Sequence, residues 1–280
     1  MNIVSPRAEM WLQTNINSHI VRCAKVCYRS DREVDDEKFI QARLKAGHFS
    51  ILRHGTKYYK VPIAKLNFVE YRLYDDIVIW LQKIGYVHIR WSATHMYVVA
   101  NMQSIYEHPD IFNRLMDYEI DENEAYEDEE IWSNIYRYTF YLQTQISTTR
   151  ELNRVSPNNI LEESTRYVEQ GVICRPWWCD DFWINHDRIK EKLRAEYFDS
   201  CEKAFKDYNR LMKLGLNKED ARGVLPLDTC THVVYTYTIE EWRNIIDKRF
   251  FGSTGKPHPN CQEIIGKVKH LLEKEGYEFE

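Results

Sequence analysis

An α+β fold, in which a mostly antiparallel sheet packs against long helices, follows from three stretches of the chain. Tyr138, Phe140, Leu142 and Ile146 alternate with Arg137, Thr139, Tyr141, Gln143 and Gln145, the two-residue period of a strand half-buried against a core. Thr229–Thr238 (TCTHVVYTYT) is rich in β-branched and aromatic residues, which suit a pleated surface. Ile189, Leu193, Tyr197, Cys201, Ala204, Phe205, Tyr208 and Leu211 recur at helical spacing, so a long amphipathic helix packs on the sheet these strands build.

From the N-terminus, the first helix the sequence predicts is Asp35–Ala46. Asp35, Asp36 and Glu37 occupy its start, Arg43 and Lys45 its last turn, and Gly47 can cap it. HFSILRHGTKYYKVPI then reads as a loop running into a strand near Lys57–Val61. Leu73–Ile111 carries mixed helical patterning, and Asp117–Glu130 (DYEIDENEAYEDEE) reads as a solvated loop or helix face at the tip of an insertion. The strand Tyr136–Ile146 follows, then the long helix, which Gly215 stops. Asn217 is placed as the N-cap of a second helix that must end before Pro226. After the strand Thr229–Thr238 come a helix over IEEWRNIIDKR and a last one marked by Ile264, Val268, Leu271 and Leu272. No internal repeat is present, and the length allows one large domain or two small ones.

The 280 residues are 44% hydrophobic and 29% charged, ordinary for a globular chain. A net charge of -5 argues against a general nucleic-acid or membrane-surface binder. MNIVSPRAEMWLQ lacks the apolar run of a signal peptide and no segment is long and apolar enough to cross a bilayer, so a cytoplasmic location is expected, with no nucleic-acid or membrane partner. The seven cysteines form no C-x-x-C pair and the ten histidines show no metal spacing; buried free thiols and no metal site are expected.

Standard nucleotide motifs are missing. GSTGKP at Gly252 fails as a P-loop, with Phe250 where the first glycine belongs and Pro257 in place of the Ser or Thr. Against that background RELNRVSPNNILEESTRY, Arg150–Tyr167, gathers Arg150, Arg154 and Arg166 around Glu162, Glu163 and Ser164. Scattered arginines and backbone amides can hold a phosphate by bidentate, charge-assisted hydrogen bonds. Three more segments carry Arg or His beside a regular element: His48–His54, Asp220–Pro226 and Trp242–Pro259. Singly, Arg222, Arg249, His48 or His258 reads as an ordinary surface or dipole-pairing residue. The constellation carries the signal.

These segments, in this order, resemble the flavin-dependent thymidylate synthases, the ThyX family. EESTRY (Glu162–Tyr167) resembles the end of the family signature RHRxxSxxxxSxRY, and Arg150–Asn153 stands where one branch has H-E-L-x. GHFSILRHGTKYYKV resembles G-H-x-S/T-x-x-E-H-x-x-F. DARGVLPLDTCTHVVYTYTIEEWRNIIDKR resembles A-R-x-V-L-P, a strand, and W-R-x-x-x-x-L-R; PHPNCQE resembles A-H-P-Q-x-x-E. The likeness spans most of the chain outside 73–130. It implies a ThyX-like catalytic domain that reductively methylates dUMP to dTMP with FAD, NADPH and methylenetetrahydrofolate, in a homotetramer whose sites are shared between subunits.

The resemblance also implies residue roles. Ser164 and Arg166, with the backbone at Glu163 and Thr165, would hold the nucleotide, and Arg222 would add charge at its phosphate. Glu151 and Glu162 belong to the same substrate set. Arg249 would hydrogen-bond the uracil carbonyl, and Arg249 and Ser164 are the implied catalytic pair. His48, Ser50, Arg53, Arg154, Asn159, Asn244 and His258 match the flavin side. Departures from the family fall on that side: Val155 and Ser156 replace the His and second Arg of R-H-R, Asn159 replaces the first Ser, and Arg53 replaces a Glu. Arg53 is expected to supply the cation lost at Ser156. Two alternatives stay open, a one-carbon transfer to C5 of another pyrimidine nucleotide, such as hydroxymethylation, and a non-catalytic nucleotide-binding homologue.

Overall fold

The computed structural model describes residues 1–66 and 71–280, with side chains outside 65–76. Its strands are β1 (Asn2–Val4), β2 (Arg7–Trp11), β3 (Thr56–Pro62), β4 (Val87–Trp91), β5 (His95–Asn101), β6 (Glu119–Ile120), β7 (Arg137–Gln145), β8 (Ile160–Glu162), β9 (Val172–Cys174) and β10 (Cys230–Thr238). The helices that matter for the site are α1 (Ile16–Val26), α2 (Asp36–Lys45), α3 (Tyr71–Lys83), α4 (Met102–Glu107), α5 (Ile146–Asn153), α6 (Arg188–Lys213), α7 (Ile239–Ile246) and α8 (Pro259–Lys274). Two antiparallel four-stranded sheets, ordered β2-β7-β10-β8 and β4-β5-β3-β6, are accompanied by a separate short parallel pair of β1 with β9. The α+β class and the mostly antiparallel pairing agree with the sequence.

The first sheet is covered on both faces. On one, Phe140, Leu142, Val233 and Tyr235 meet Trp242 and Ile245 of α7 and Ile264, Ile265 and Val268 of α8. On the other, Leu161 and Val234 meet Ile20, Val21 and Ala24 of α1 and Ile40 and Leu44 of α2. The half-buried pattern expected of β7 is therefore corrected: on the face the sequence leaves polar, Arg137, Thr139 and Gln145 are buried too, with His19 of α1 bonding Thr139 at 3.0 Å and Gln145 donating to the Arg175 carbonyl at 3.0 Å. Arg137 meets its desolvation by hydrogen bonds. It donates to Thr56 Oγ1 (2.9 Å), the Arg53 carbonyl (2.9 Å) and the Thr236 carbonyl (3.1 Å), which ties the two sheets together.

The second sheet alternates in the same way. Tyr58, Tyr97 and Val99 turn to the main core, while Tyr59, Val98 and Ala100 pack under Ile77 and Leu81 of α3. Here the mixed helical patterning expected over Leu73–Ile111 is corrected, since that stretch contains β4 and β5. Helix α1 precedes the first one the sequence predicts, and Asn15 caps it by accepting from Ser18 N at 3.0 Å. Phe49–His54 is a 3-10 turn where a loop was expected. The acidic run is more structured than a solvated tip. Asp121 and Asp128 cap two short helices whose Ala125 and Ile131 are buried, and Glu122 accepts from Tyr136 and Gln13 at 2.7 Å each.

The Asn217 helix is a single turn, Lys218–Ala221, and Asn217 makes no side-chain cap. In α6 only Cys201, Phe205 and Tyr208 are buried, whereas Ile189 is 73% exposed and Leu193 54%. The apolar stripe is real, but only its C-terminal half meets this chain. Six of the seven cysteines are buried free thiols and Cys27 is half-buried. No helix among the described residues is long and apolar enough to cross a membrane.

Candidate active site

Strand β8 ends at Glu162 and the chain turns sharply, so Glu163, Ser164, Thr165 and Arg166 leave the sheet edge together. Ser164 anchors the turn: its N–H donates to the Cys27 carbonyl at 2.9 Å, its carbonyl accepts from Tyr167 and Val168, and its Oγ accepts from Arg166 N at 3.3 Å. On the other side lies α5, and the 3-10 turn Arg222–Val224 closes the space. The resulting cleft of about 540 Å³ is lined by Arg150, Glu162, Ser164, Thr165, Arg166 and Arg222 among others. Arg222 Nη1 donates to Thr165 Oγ1 at 2.8 Å, and Arg166 Nε pairs with Glu219 at 2.7 Å. Three guanidinium groups and the half-buried hydroxyls of Ser164 and Thr165 thus converge on one opening, which suits a phosphate-sized anion.

The two glutamates beneath the cleft are held differently. Glu162 accepts from Thr149 Oγ1 (2.8 Å) and Thr231 Oγ1 (3.1 Å); burial outweighs those bonds and raises its pKa. Glu163 is 4% exposed and accepts four side-chain bonds: Arg29 Nη2 (2.8 Å) and Gln170 Nε2 (3.0 Å) on Oε1, Arg29 Nε (3.1 Å) and His232 Nδ1 (2.6 Å) on Oε2. Burial pushes its carboxyl upward, but the His232 and Gln170 bonds and the Arg29 charge outweigh it, and the net shift is downward. Its side chain is therefore built into the floor. Glu219, His232 and Arg29 went unnoticed in the sequence; their partners lie 53, 69 and 134 residues away.

Arg249 lies behind this cleft. It sits on a single π-turn, Asp247–Phe251, that extends α7 and closes at Gly252, whose φ of +83° a side chain would strain. Its Nε donates to the Glu151 carbonyl at 3.1 Å, and it is not among the residues that line the cleft.

The family comparison is decisive. Residues 132–275, slightly more than half of the chain, match the sequence profile of the family described as thymidylate synthase complementing protein (Thy1). The chain belongs to this family. It is 31% identical over 108 residues to a flavin-dependent thymidylate synthase of Haloarcula marismortui, covering 36% of this chain and 43% of that protein. It is 26% identical over 130 residues to one of Thermosipho melanesiensis, covering 40% and 53%. These matches span about half the length of the curated relatives. Among solved structures, the UMP/dUMP methylase PolB of Streptomyces cacaoi, crystallised with 5-Br UMP, is similar at a TM-score of 0.48 and 15% identity, over 98% of this chain and 92% of that one.

Most of the residues that the resemblance assigns to a flavin are spread over the surface of this Thy1-family chain. His48, Ser50, Arg154, Asn244 and His258 are exposed, and none of them lines any of the five principal cavities. His258 caps α8 by accepting from Asn260 N at 3.2 Å. Arg53 is engaged: it donates to Gln103 Oε1 (2.7 Å) and the Asn158 carbonyl (2.9 Å) and stacks on Tyr86 at 4.8 Å. Asn159 is buried, donating to the Thr236 carbonyl at 3.2 Å and leaving its Oδ1 without a partner. Ser156, where the family has Arg, pairs its hydroxyl with Tyr237 OH and accepts from Asn158 N at 3.0 Å.

Proposed function

We propose that this chain is a flavin-dependent enzyme of pyrimidine nucleotide C5 chemistry, a thymidylate synthase that methylates dUMP with methylenetetrahydrofolate and NADPH. The observation that carries the reading is the convergence of Ser164, Thr165, Arg166 and Arg222, from two distant segments, on one cleft in a chain of this family. Arg166 and Arg222 would grip the phosphate with the Thr165 amide, since the amides of Glu163, Ser164 and Arg166 are spent on the His232 carbonyl, the Cys27 carbonyl and Ser164 Oγ, and Ser164 would fix the sugar end. Arg249 does not line the cleft of its own chain, so the role the resemblance gives it, donating to a uracil carbonyl and stabilising the electron-rich ring, would fall in a site shared between copies. Bound flavin would supply the reducing equivalents that complete a methyl group.

The exposed donors His48, Ser50, Arg154, Asn244 and His258 have the chemistry to hold a flavin dinucleotide, but one chain does not gather them. We therefore assign the flavin site to an assembly of several copies, a homotetramer in keeping with the family resemblance. The exposure of Ile189 and Leu193 and the 93% exposure of Phe182 support burial between copies. We further propose that 1–280 is one catalytic domain and that 73–130 is an insertion, its sheet completed by β3.

A second reading has its own support. Val155 and Ser156 remove an imidazole and a guanidinium from the flavin side, and Ser156 turns its hydroxyl to Tyr237. A site altered there suits a different C5 product, such as a hydroxymethyl pyrimidine nucleotide. The deciding experiment is titration of dUMP into flavin-loaded protein, followed through the flavin absorption, with product analysis after adding the folate and NADPH, the reductant that a methyl product requires. dTMP supports the first reading and a hydroxymethyl nucleotide the second. Protein that retains no flavin yet binds dUMP is a non-catalytic homologue.

A further inference from the structure

Across β8 from the nucleotide cleft, a larger cleft of about 630 Å³ lies between α1 and the face of β2, β7 and β10. One wall is a ladder of rings. Trp11 and Tyr141 stack at 4.9 Å with planes 9° apart, and Tyr141 and His232 stack at 5.7 Å with planes 8° apart. Strand register explains it: Tyr141 stands opposite Glu9 on β2 and Val234 on β10, which makes Trp11 and His232 its diagonal neighbours on one face. With both faces of Tyr141 covered, the ladder presents ring edges, the positive end of the aromatic quadrupole. Arg22 lies 3.9 Å over Trp11. The facing wall is α1, whose Arg22 and Lys25, three apart, point the same way, with Arg29 just past its end.

The charged groups of this cleft differ in what they have left to offer. Glu9 is taken by Arg7 and by Trp11 Nε1 at 3.1 Å, Asp36 accepts from Ser18 at 2.5 Å, and Glu163 is saturated as described. Among the described residues Arg22 makes no ion pair, the Lys25 ammonium makes no polar contact, and Arg29 keeps Nη1 free while Nε and Nη2 hold Glu163. Asp31, at the exposed rim, is the remaining carboxylate without a partner. The unspent hydrogen-bonding capacity is cationic and comes from three side chains along one stretch of helix, an arrangement that fits an anion with several oxygens better than a single carboxylate. We propose that this cleft is a second binding site, separate from the nucleotide cleft, for a small phosphorylated molecule.

Because Glu163 lines both clefts, the test must separate them. The measurement is equilibrium dialysis of labelled inorganic pyrophosphate against the full chain in three forms: unmodified, Arg22→Ala/Lys25→Ala, and Arg166→Ala/Arg222→Ala. Two classes of site are expected in the unmodified chain. Arg22→Ala/Lys25→Ala weakens one class by about tenfold or more, the scale of a lost charge-assisted contact, and leaves the other intact. Arg166→Ala/Arg222→Ala does the reverse. Unchanged binding in Arg22→Ala/Lys25→Ala, or loss of all binding in Arg166→Ala/Arg222→Ala, overturns the second site. Unchanged binding in Arg166→Ala/Arg222→Ala counts instead against the nucleotide cleft. Should the double variant misfold by circular dichroism, Lys25→Glu, a reversal on a half-buried side chain, gives the same readout.

Discussion

Arg166 Nε sits 2.7 Å from Glu219 Oε2, so the arginine best placed to hold a phosphate is already paired with a carboxylate at the mouth of the cleft. Both side chains are about half exposed, and solvent keeps such a pair weak. A phosphate entering the cleft must compete with Glu219 for the same guanidinium. Glu219→Gln should therefore tighten dUMP binding by roughly two- to fivefold, the usual size of an exposed pair, with the gain shrinking in high salt. Calorimetric titration of both forms at two salt concentrations checks it. Weaker binding in the variant would mean that Glu219 positions Arg166 instead of competing for it.

Arg53 offers a second test. Its guanidinium bridges Gln103 on α4 to the Asn158 carbonyl in the loop that begins at Ser156. That places a cation beside the segment where the family carries its second arginine. Arg53→Glu should lose flavin on purification while Arg53→Lys keeps part of it, read from the flavin absorbance per chain. Equal flavin content in Arg53→Glu and the unmodified protein rejects the compensation.

How much of this was legible in the sequence depends on how local each feature is. Strands β7 and β10 announce themselves through composition and period, and Asp35 with its acidic followers marks α2. β5 stays hidden because HMYVVAN is apolar on both faces, as a strand inside two layers must be, and carries no alternation to read; β4 (VHIRW) does alternate, but five residues do not stand out against the helical patterning before them. The exposed half of α6 could not be told from a core stripe, since periodicity says that a face is apolar but not what covers it. Within the cleft, Ser164, Thr165 and Arg166 are neighbours in sequence and read as a unit. Their long-range partners Glu219, His232 and Arg29 carry no local signal, being ordinary charged and polar residues until the fold brings them to the turn.

Glu163 supports the floor of both clefts, and its loss should be felt in stability. Glu163→Gln replaces an acceptor of four bonds with a group that must donate on one side, and it strands the half-exposed guanidinium of Arg29. A cost of about 2 kcal/mol at neutral pH is expected, between the values for an exposed and a buried pair. Because the folded carboxyl titrates below its unfolded value of about 4.3, its contribution is complete above that pH and is lost as pH falls through the lower folded value. Denaturant unfolding at pH 7 and pH 3 should show the gap between the two proteins narrowing in acid. A constant gap would mean that packing, not charge, makes the difference.

The last prediction concerns the buried imidazoles between the sheets and α1. His19 bonds Thr139 at 3.0 Å, His54 bonds Thr236 at 2.8 Å, and the two threonines share a bond of 2.8 Å. Burial, then the charges of Arg22 and Arg137, lower the His19 pKa to about 4, and burial holds His54 well below the ordinary imidazole value. Both rings are therefore neutral in the folded chain at neutral pH, whereas in the unfolded chain they take up protons near pH 6.5. Below that pH the unfolded state binds more protons, so stability falls as the medium is acidified from about 6.5, and the His19 part of the loss levels off near pH 4. Each fully displaced ring contributes a slope of about 1.4 kcal/mol per pH unit in that window. His19→Gln keeps a partner for Thr139 and cannot titrate, so unfolding free energies between pH 6.5 and 4.5 should fall less steeply in this variant than in the unmodified chain. Identical slopes would show that the acid sensitivity, if present, comes from His54 or from the carboxylates. This window lies above the one assigned to Glu163, so the two sources can be told apart in one series of measurements.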